Sequence, residues 1–289
     1  MTEPVSDTAP LLRVEDLVVR FADRRGRGKT VIDGVSFDIA PGETLGLVGE
    51  SGSGKTTIGR AILGLTPVSG GEITFRGQTI SNVSRARRRK IASDIQVVFQ
   101  DPYSSLNPAM TVGSILVEPL DAAGVEGGAA RIRELLDAVG LPVDSARRYP
   151  REFSGGQRQR VAIARALALA PSVIICDEPT SALDVTTQAK VLTLLKNIQD
   201  ETGVAYIFIS HDLGVVNDIS DRTAVLNGGR IVELGESAQV ATAPVHPYTR
   251  KLQMAAPVAD PKRQRVRRSE RLGLAADEGT DVPETTDAC

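Results

Sequence analysis

The 289-residue chain has no tryptophan and few other aromatic residues, 3% in all. That poverty argues against a stacking platform for single-stranded nucleic acid, which needs successive aromatic faces. Cysteine is nearly absent: Cys176 sits inside an apolar run and Cys289 is the last residue. Such a pair gives neither a disulfide framework nor a metal-ligand spacing, and Cys176 reads as a small buried residue. Neither charge sign is in excess, 34 Lys and Arg against 36 Asp and Glu leaving a net of −2, so nucleic acid is not an expected partner. No apolar run approaches the roughly 18 residues needed to span a bilayer. The first ten residues lack the basic and apolar regions of a secretory signal, so the chain is expected to stay in the cytosol. What remains is ordinary globular composition, 41% hydrophobic, at a length that suits one or two domains at about 150 residues each.

Residues 1–10 are polar and Pro-containing and read as a flexible leader. Leu12 to Phe21 and Val31 to Ile39 have strand patterning on either side of a charged, Gly-bearing turn, an antiparallel pair. After residue 42, strands and helices alternate: strands at Thr44–Val48, Ile95–Phe99, Val173–Cys176 and Ala205–Ser210, helices at Thr57–Leu65, Gln157–Leu169, Val185–Asp200 and Leu213–Ser220. That order predicts an α/β fold with a mostly parallel core sheet, joined to an N-terminal antiparallel β subdomain. Residues from about 108 to 152 read as a helical subdomain, Arg85 to Lys90 as a solvated basic stretch, and Thr223–Leu226 with Arg230–Gly235 as a terminal strand pair. The patterned domain runs over 11–257. Residues 258–289, basic and then acidic, read as a disordered tail.

Gly49-Glu50-Ser51-Gly52-Ser53-Gly54-Lys55-Thr56 fits G-x-x-x-x-G-K-[ST] in full, between an apolar strand and a helix that begins near Thr57. Glycines let the backbone curl so that successive N–H groups face phosphate, and the helix N-terminus adds positive potential. Lys55 is suited to reach the β- and γ-phosphates of a nucleotide, and Thr56 to place a hydroxyl on Mg²⁺. Val173 to Cys176 makes a buried strand ending in Asp177-Glu178, one carboxylate for the Mg²⁺ shell and one to polarise an attacking water. Gln100 ends another strand with an amide able to sense metal and water. Ser154-Gly155-Gly156-Gln157 opens a long helix and so creates a second anion-binding N-terminus. One nucleotide has one terminal phosphate. A second such site is explained if it serves the nucleotide of another protomer in a head-to-tail dimer.

In order and spacing these segments resemble the nucleotide-binding subunit of an ABC transporter, over about residues 11–257. The resemblance makes Gly49–Thr56 the Walker A loop, Gln100 the Q-loop, Ser154–Gln157 the signature, Asp177-Glu178 the end of Walker B, Ser181–Asp184 the D-loop and His211 the switch. It implies ATP and Mg²⁺ as cofactors, with Thr56, Gln100 and Asp177 around the metal and Glu178, Gln100 and His211 at the reaction. The nucleotide would meet Gly49, Glu50, Ser51, Gly52, Ser53, Gly54, Lys55, Thr56, Thr57, Gln100, Gly155, Gln157, Asp184 and His211, with Ser154 and Gly156 contacting the γ-phosphate across the dimer and His211 contacting it from the same chain as Lys55. Phe21, after the first strand, is the candidate to stack on adenine, though it could equally be core.

Gln100-Asp101-Pro102-Tyr103-Ser104-Ser105-Leu106-Asn107-Pro108 and His246-Pro247-Tyr248-Thr249-Arg250 resemble the oligopeptide and dipeptide importer branch. That implies an ATPase subunit, peripheral on the cytoplasmic face of the cell membrane. Its partners would be a second ATPase subunit, itself or a paralogue, two transmembrane permease subunits and, indirectly, an extracytoplasmic solute-binding protein. Nickel or another small solute, and an accessory role in a soluble enzyme complex, stay open as alternatives.

Overall fold

The computed structural model describes residues 9–22, 28–126 and 128–255. Most of the expected leader, the centre of the first turn and the expected tail with Cys289 lie outside the described residues.

Strands β1 (Leu12–Ala22) and β2 (Gly28–Ile39) pair antiparallel, with Leu12 opposite Ile39 and Phe21 opposite Lys29. With β4 (Gly70–Phe75) and the two-residue β5 (Gln78–Thr79) they form a four-stranded antiparallel sheet in the order β2-β1-β4-β5. The second sheet contains β3 (Thr44–Val48), β6 (Ile95–Val98), β7 (Val173–Asp177), β8 (Ala205–Ser210), β9 (Arg222–Asn227) and β10 (Arg230–Glu236). Its order is β10-β9-β3-β8-β7-β6; all neighbours are parallel except the terminal β10-β9 pair.

The parallel sheet is covered on both faces, which is why its strands read as unbroken apolar runs. Along β8 the side chains divide by alternation: Ala205, Ile207 and Ile209 join one core, Tyr206 and Phe208 the other. The first core holds α1 (Lys55–Ile62), through Ile58, Ala61 and Ile62, against the antiparallel sheet. The second holds helices α4 (Val112–Ala123), α5 (Gly128–Ala138), α6 (Gly155–Leu167), α7 (Val185–Thr202) and α8 (Leu213–Ile219). Cys176 is fully buried there, as read from sequence, and burial pushes its thiol well above the usual range. The Tyr206 phenol is buried too, but it donates to Leu195 O at 3.1 Å and so is not an orphan.

Four further helices complete the described chain. Arg85 to Lys90, expected as a solvated stretch, lies in α2 (Arg85–Ile91), which buries no residue. Ser84 caps it and Arg88 pins it, donating to Ile62 O at 2.8 Å and also to Ile80 O. Helix α3 (Pro102–Ser105) follows the strand end at Gln100, and α9 (Ser237–Thr242) and α10 (Pro247–Ala255) follow β10. Between α5 and α6 lie two 3₁₀ turns, Val143–Arg147 and Pro150–Glu152.

Candidate nucleotide-binding site

Four neighbouring parallel strands, in the spatial order β3-β8-β7-β6, end at the same edge of the sheet. They deliver in turn the loop at Gly49, His211, Asp177 with Glu178, and Gln100. Register holds them level, with Val48 opposite Ser210, Asp177 opposite Ile209 and Val98 opposite Cys176. This carboxyl edge is where open α/β sheets bind ligands.

The loop between β3 and α1 is shaped for an anion. Gly54 is the N-cap of α1 at φ 111, and a Cβ there would fall 2.5 Å from Ile32 Cδ1. Glycine thus lets the loop turn left-handed against the antiparallel sheet. No side chain caps α1, so its first amides keep their hydrogens for an outside acceptor. Ser53 Oγ is buried and has no protein partner. The Lys55 ammonium donates to Gly49 O at 2.6 Å and Glu50 O at 2.9 Å. An ammonium has three donors, so one remains for a phosphate. Burial draws Lys55 below the usual lysine range, opposed by the charges of Glu178, Asp177 and Glu50.

Beside the loop, Thr56 Oγ1 donates to Asp177 Oδ1 at 3.0 Å. These are hard oxygen donors, the chemistry of a Mg²⁺ site that relies on phosphate and water for its other ligands. Burial, chiefly, raises the Asp177 carboxyl above its usual range, and Glu178 adds to this; the Thr56 hydrogen bond, Arg60 and Lys55 pull the other way. Glu178 is held from two sides. Gln100 Nε2 donates to its Oε2 at 3.1 Å, and His211 Nδ1 lies 3.4 Å from its Oε1. Its backbone is left-handed, φ 47, a conformation costing on the order of 1 to 3 kcal/mol for a residue with a side chain. Glu178 is 16% exposed while His211 is 56% exposed, so the carboxylate sits inside the edge and the imidazole at its mouth.

Ser154 to Gln157 are elsewhere. Ser154 caps α6 in a reciprocal capping box: its Oγ accepts from Gln157 N at 3.3 Å, and Gln157 Oε1 accepts from Ser154 N at 3.0 Å. Gly156 faces the first turn of α7, where a Cβ would fall 2.4 Å from Thr187 Cγ2. Asp184 caps α7, accepting from Thr187 N at 3.0 Å and Thr187 Oγ1 at 2.6 Å, which hold its carboxyl below the usual range. Among the described residues, no hydrogen bond joins 154–157 to 49–57. The structure therefore brings Lys55, Thr56, Gln100, Asp177, Glu178 and His211 together and leaves the Ser154 group and Asp184 apart from them.

Phe21 is the penultimate residue of β1 and is 46% exposed, which removes the core alternative. Glu50 has a different use from the other loop amides: its N–H donates to Tyr248 Oη at 3.1 Å. Sequence reading missed that contact, and also the Arg158 guanidinium 4.0 Å over the Tyr103 ring, which ties α3 to α6. Both residues stood in segments already singled out, but no sequence pattern announces either pairing.

A strand, a glycine loop and an uncapped helix on a parallel sheet define the phosphate-loop class of α/β proteins. The "ABC transporter" family model matches residues 32–181, more than half of the chain, and the protein belongs to that family. A second model, "Oligopeptide/dipeptide transporter, C-terminal region", matches residues 232–279. The chain is 53% identical over 273 residues to the glutathione import ATP-binding protein GsiA of Escherichia coli K12, and equally so to that of Shigella flexneri. The match covers 91% of this chain but 44% of those relatives, so the chain spans less than half their length. Among solved structures it is similar to the ATP-binding cassette MJ0796, described as a dimer in a post-hydrolysis state bound to ADP and Pi. That likeness has a TM-score of 0.70 and 30% identity, and covers 78% of this chain and 98% of that one. CbiO1 of Clostridium perfringens, part of the transporter complex cbiONQ, matches with a TM-score of 0.72 and 27% identity over 93% of this chain and all of that one.

Proposed function

We propose that the chain is the ATP-hydrolysing subunit of an importer for di- or oligopeptides, a class that includes the tripeptide glutathione of its GsiA relatives. The observation that carries the reading is Glu178, held at a strand end between Gln100 and His211 and next to the Thr56–Asp177 pair. In this reading the loop amides, Ser53 Oγ and the free donor of Lys55 take the β- and γ-phosphates. Phe21 stacks on the adenine. Thr56, Asp177 and Gln100 hold Mg²⁺, which neutralises phosphate charge when bound. Glu178 orients the attacking water and accepts its proton, while His211 steadies the γ-phosphate from the open side. A water activator of this kind is worth roughly 3 to 5 kcal/mol of barrier.

Ser154, Gly155, Gly156, Gln157 and Asp184 complete the site of a second ATPase subunit. ATP then closes the pair and hydrolysis releases it, and the bound nucleotides shift the open–closed equilibrium by the difference in their affinity for the two states. Two permeases in the membrane convert closure into transport, fed by an extracytoplasmic solute-binding protein. No helix among the described residues is long and apolar enough to cross a membrane. The subunit sits peripherally on the cytoplasmic face. Glu178→Gln keeps the shape and the Gln100 contact but removes the base. ATP affinity should persist while turnover falls at least about 100-fold; unchanged turnover would refute the role of Glu178.

A further inference from the structure

The contact between α10 and the phosphate loop joins residues 198 positions apart. Its donor, Glu50 N–H, belongs to the same peptide unit as the Gly49 carbonyl, and that carbonyl accepts from Lys55 Nζ at 2.6 Å. A peptide unit is planar, so its N–H and C=O point in fixed, opposed directions. Fixing one aims the other. Tyr248 Oη, 3.1 Å from Glu50 N, therefore sets the direction from which the Gly49 carbonyl meets Lys55.

Tyr248 is itself anchored. Glu233 of β10 accepts from Val245 N at 2.9 Å and His246 N at 3.0 Å through its two carboxylate oxygens. His246 Nδ1 accepts from Tyr248 N at 3.2 Å, and Arg250 donates to Pro244 O and Val245 O, both at 3.1 Å. The Tyr248 ring packs on the second core beside Leu252. The segment 244–250 is thus a self-tied strap, fastened to β10 at one end and to the phosphate loop at the other.

We propose that Tyr248 is a positioning residue of the nucleotide site: through the Gly49–Glu50 peptide it orients Lys55, and so makes phosphate binding depend on the C-terminal strap. The effect on ATP rests on the nucleotide-binding reading above; the effect on Lys55 does not.

Tyr248→Phe removes the hydroxyl and keeps the ring. In the full chain without nucleotide, acylation of Lys55 by an amine-reactive reagent, read residue by residue by mass spectrometry, should quicken at least about threefold, with the other lysines unchanged. The Kd for MgATP should weaken about fivefold, the scale of one hydrogen bond. The thermal midpoint should fall by no more than about 4 °C, the loss of one intramolecular hydrogen bond. Glu233→Ala, which releases the other end of the strap, should quicken Lys55 labelling as well and serves if Tyr248→Phe folds poorly. Lys55 labelling at the wild-type rate in a folded variant overturns the proposal, whatever happens to affinity. Faster labelling with no measurable ATP binding by the wild type leaves the positioning role standing and sinks the nucleotide reading instead.

Discussion

Two helices of this chain begin with glycine-rich segments, and they treat their N-termini in opposite ways. Helix α1 has no side-chain cap, and a buried serine hydroxyl beside it lacks a partner. Helix α6 is closed by a capping box in which Ser154 and Gln157 each satisfy the other's backbone. The first is an unfinished anion site that its own chain cannot complete. The second is structurally complete, yet keeps groups to spare, since Ser154 Oγ accepts in the cap while its own hydrogen stays free to donate. On the proposed function, the open start is the one that takes the nucleotide of its own subunit, and the closed start is the one that completes the site of a second subunit.

This contrast can be broken at several points. The largest effect is expected at Lys55: Lys55→Ala removes a charged donor and should weaken MgATP binding by about tenfold or more, the range for hydrogen bonds to charged groups, measured by calorimetric titration. Gly156→Ala tests the closed helix. The new methyl meets Thr187 Cγ2 on a stiff β-branched side chain. Overpacking should cost about 1 to 3 kcal/mol in denaturant unfolding, and Thr187→Ser, which deletes the offending methyl but keeps the hydroxyl that bonds Asp184, should restore most of it.

A smaller effect is expected at Asp177, whose folded carboxyl is raised above 3.8, chiefly by burial. From pH 3.8 up to that raised value the folded chain binds more protons than the unfolded one, so stability falls as pH rises through the window and stays lowered at neutral pH. Asp177→Asn should therefore raise the nucleotide-free thermal midpoint at pH 7, with the gain vanishing below the window. A lowered midpoint at pH 7 would show that this edge is not held under charge strain.

Contiguous features of this molecule are legible in its sequence. Strands β3, β7 and β8 are apolar runs because both faces of the parallel sheet are covered, and the phosphate loop is a single uninterrupted pattern. Helix α2 was not legible, because five of its seven residues are Arg or Lys and it buries none; its Ser84 cap and the Arg88 bonds to Ile62 and Ile80 carbonyls stand in for an apolar face. Short helices α3 and α9 escaped for lack of length to show a period, and α10 because its apolar contribution is the partly buried Tyr248 and Leu252. In the site, the grouping of Gln100, Asp177, Glu178 and His211 followed from their places at strand ends. The Tyr248 contact did not, since a hydrogen bond across 198 residues depends on how the last helix docks.

The central claim is that the open half and the closed half belong to different copies of one working site. It is tested most directly by mixing two variants of the full chain, Lys55→Ala and Ser154→Arg, each inactive alone. A mixed pair carries one intact composite site, with Lys55 from one copy and Ser154 from the other. Equal mixing should therefore recover up to about a quarter of wild-type ATP turnover, since half the pairs are mixed and each has one working site of two. Where the wild-type chain hydrolyses ATP by itself, a mixture as inactive as its components would contradict the account.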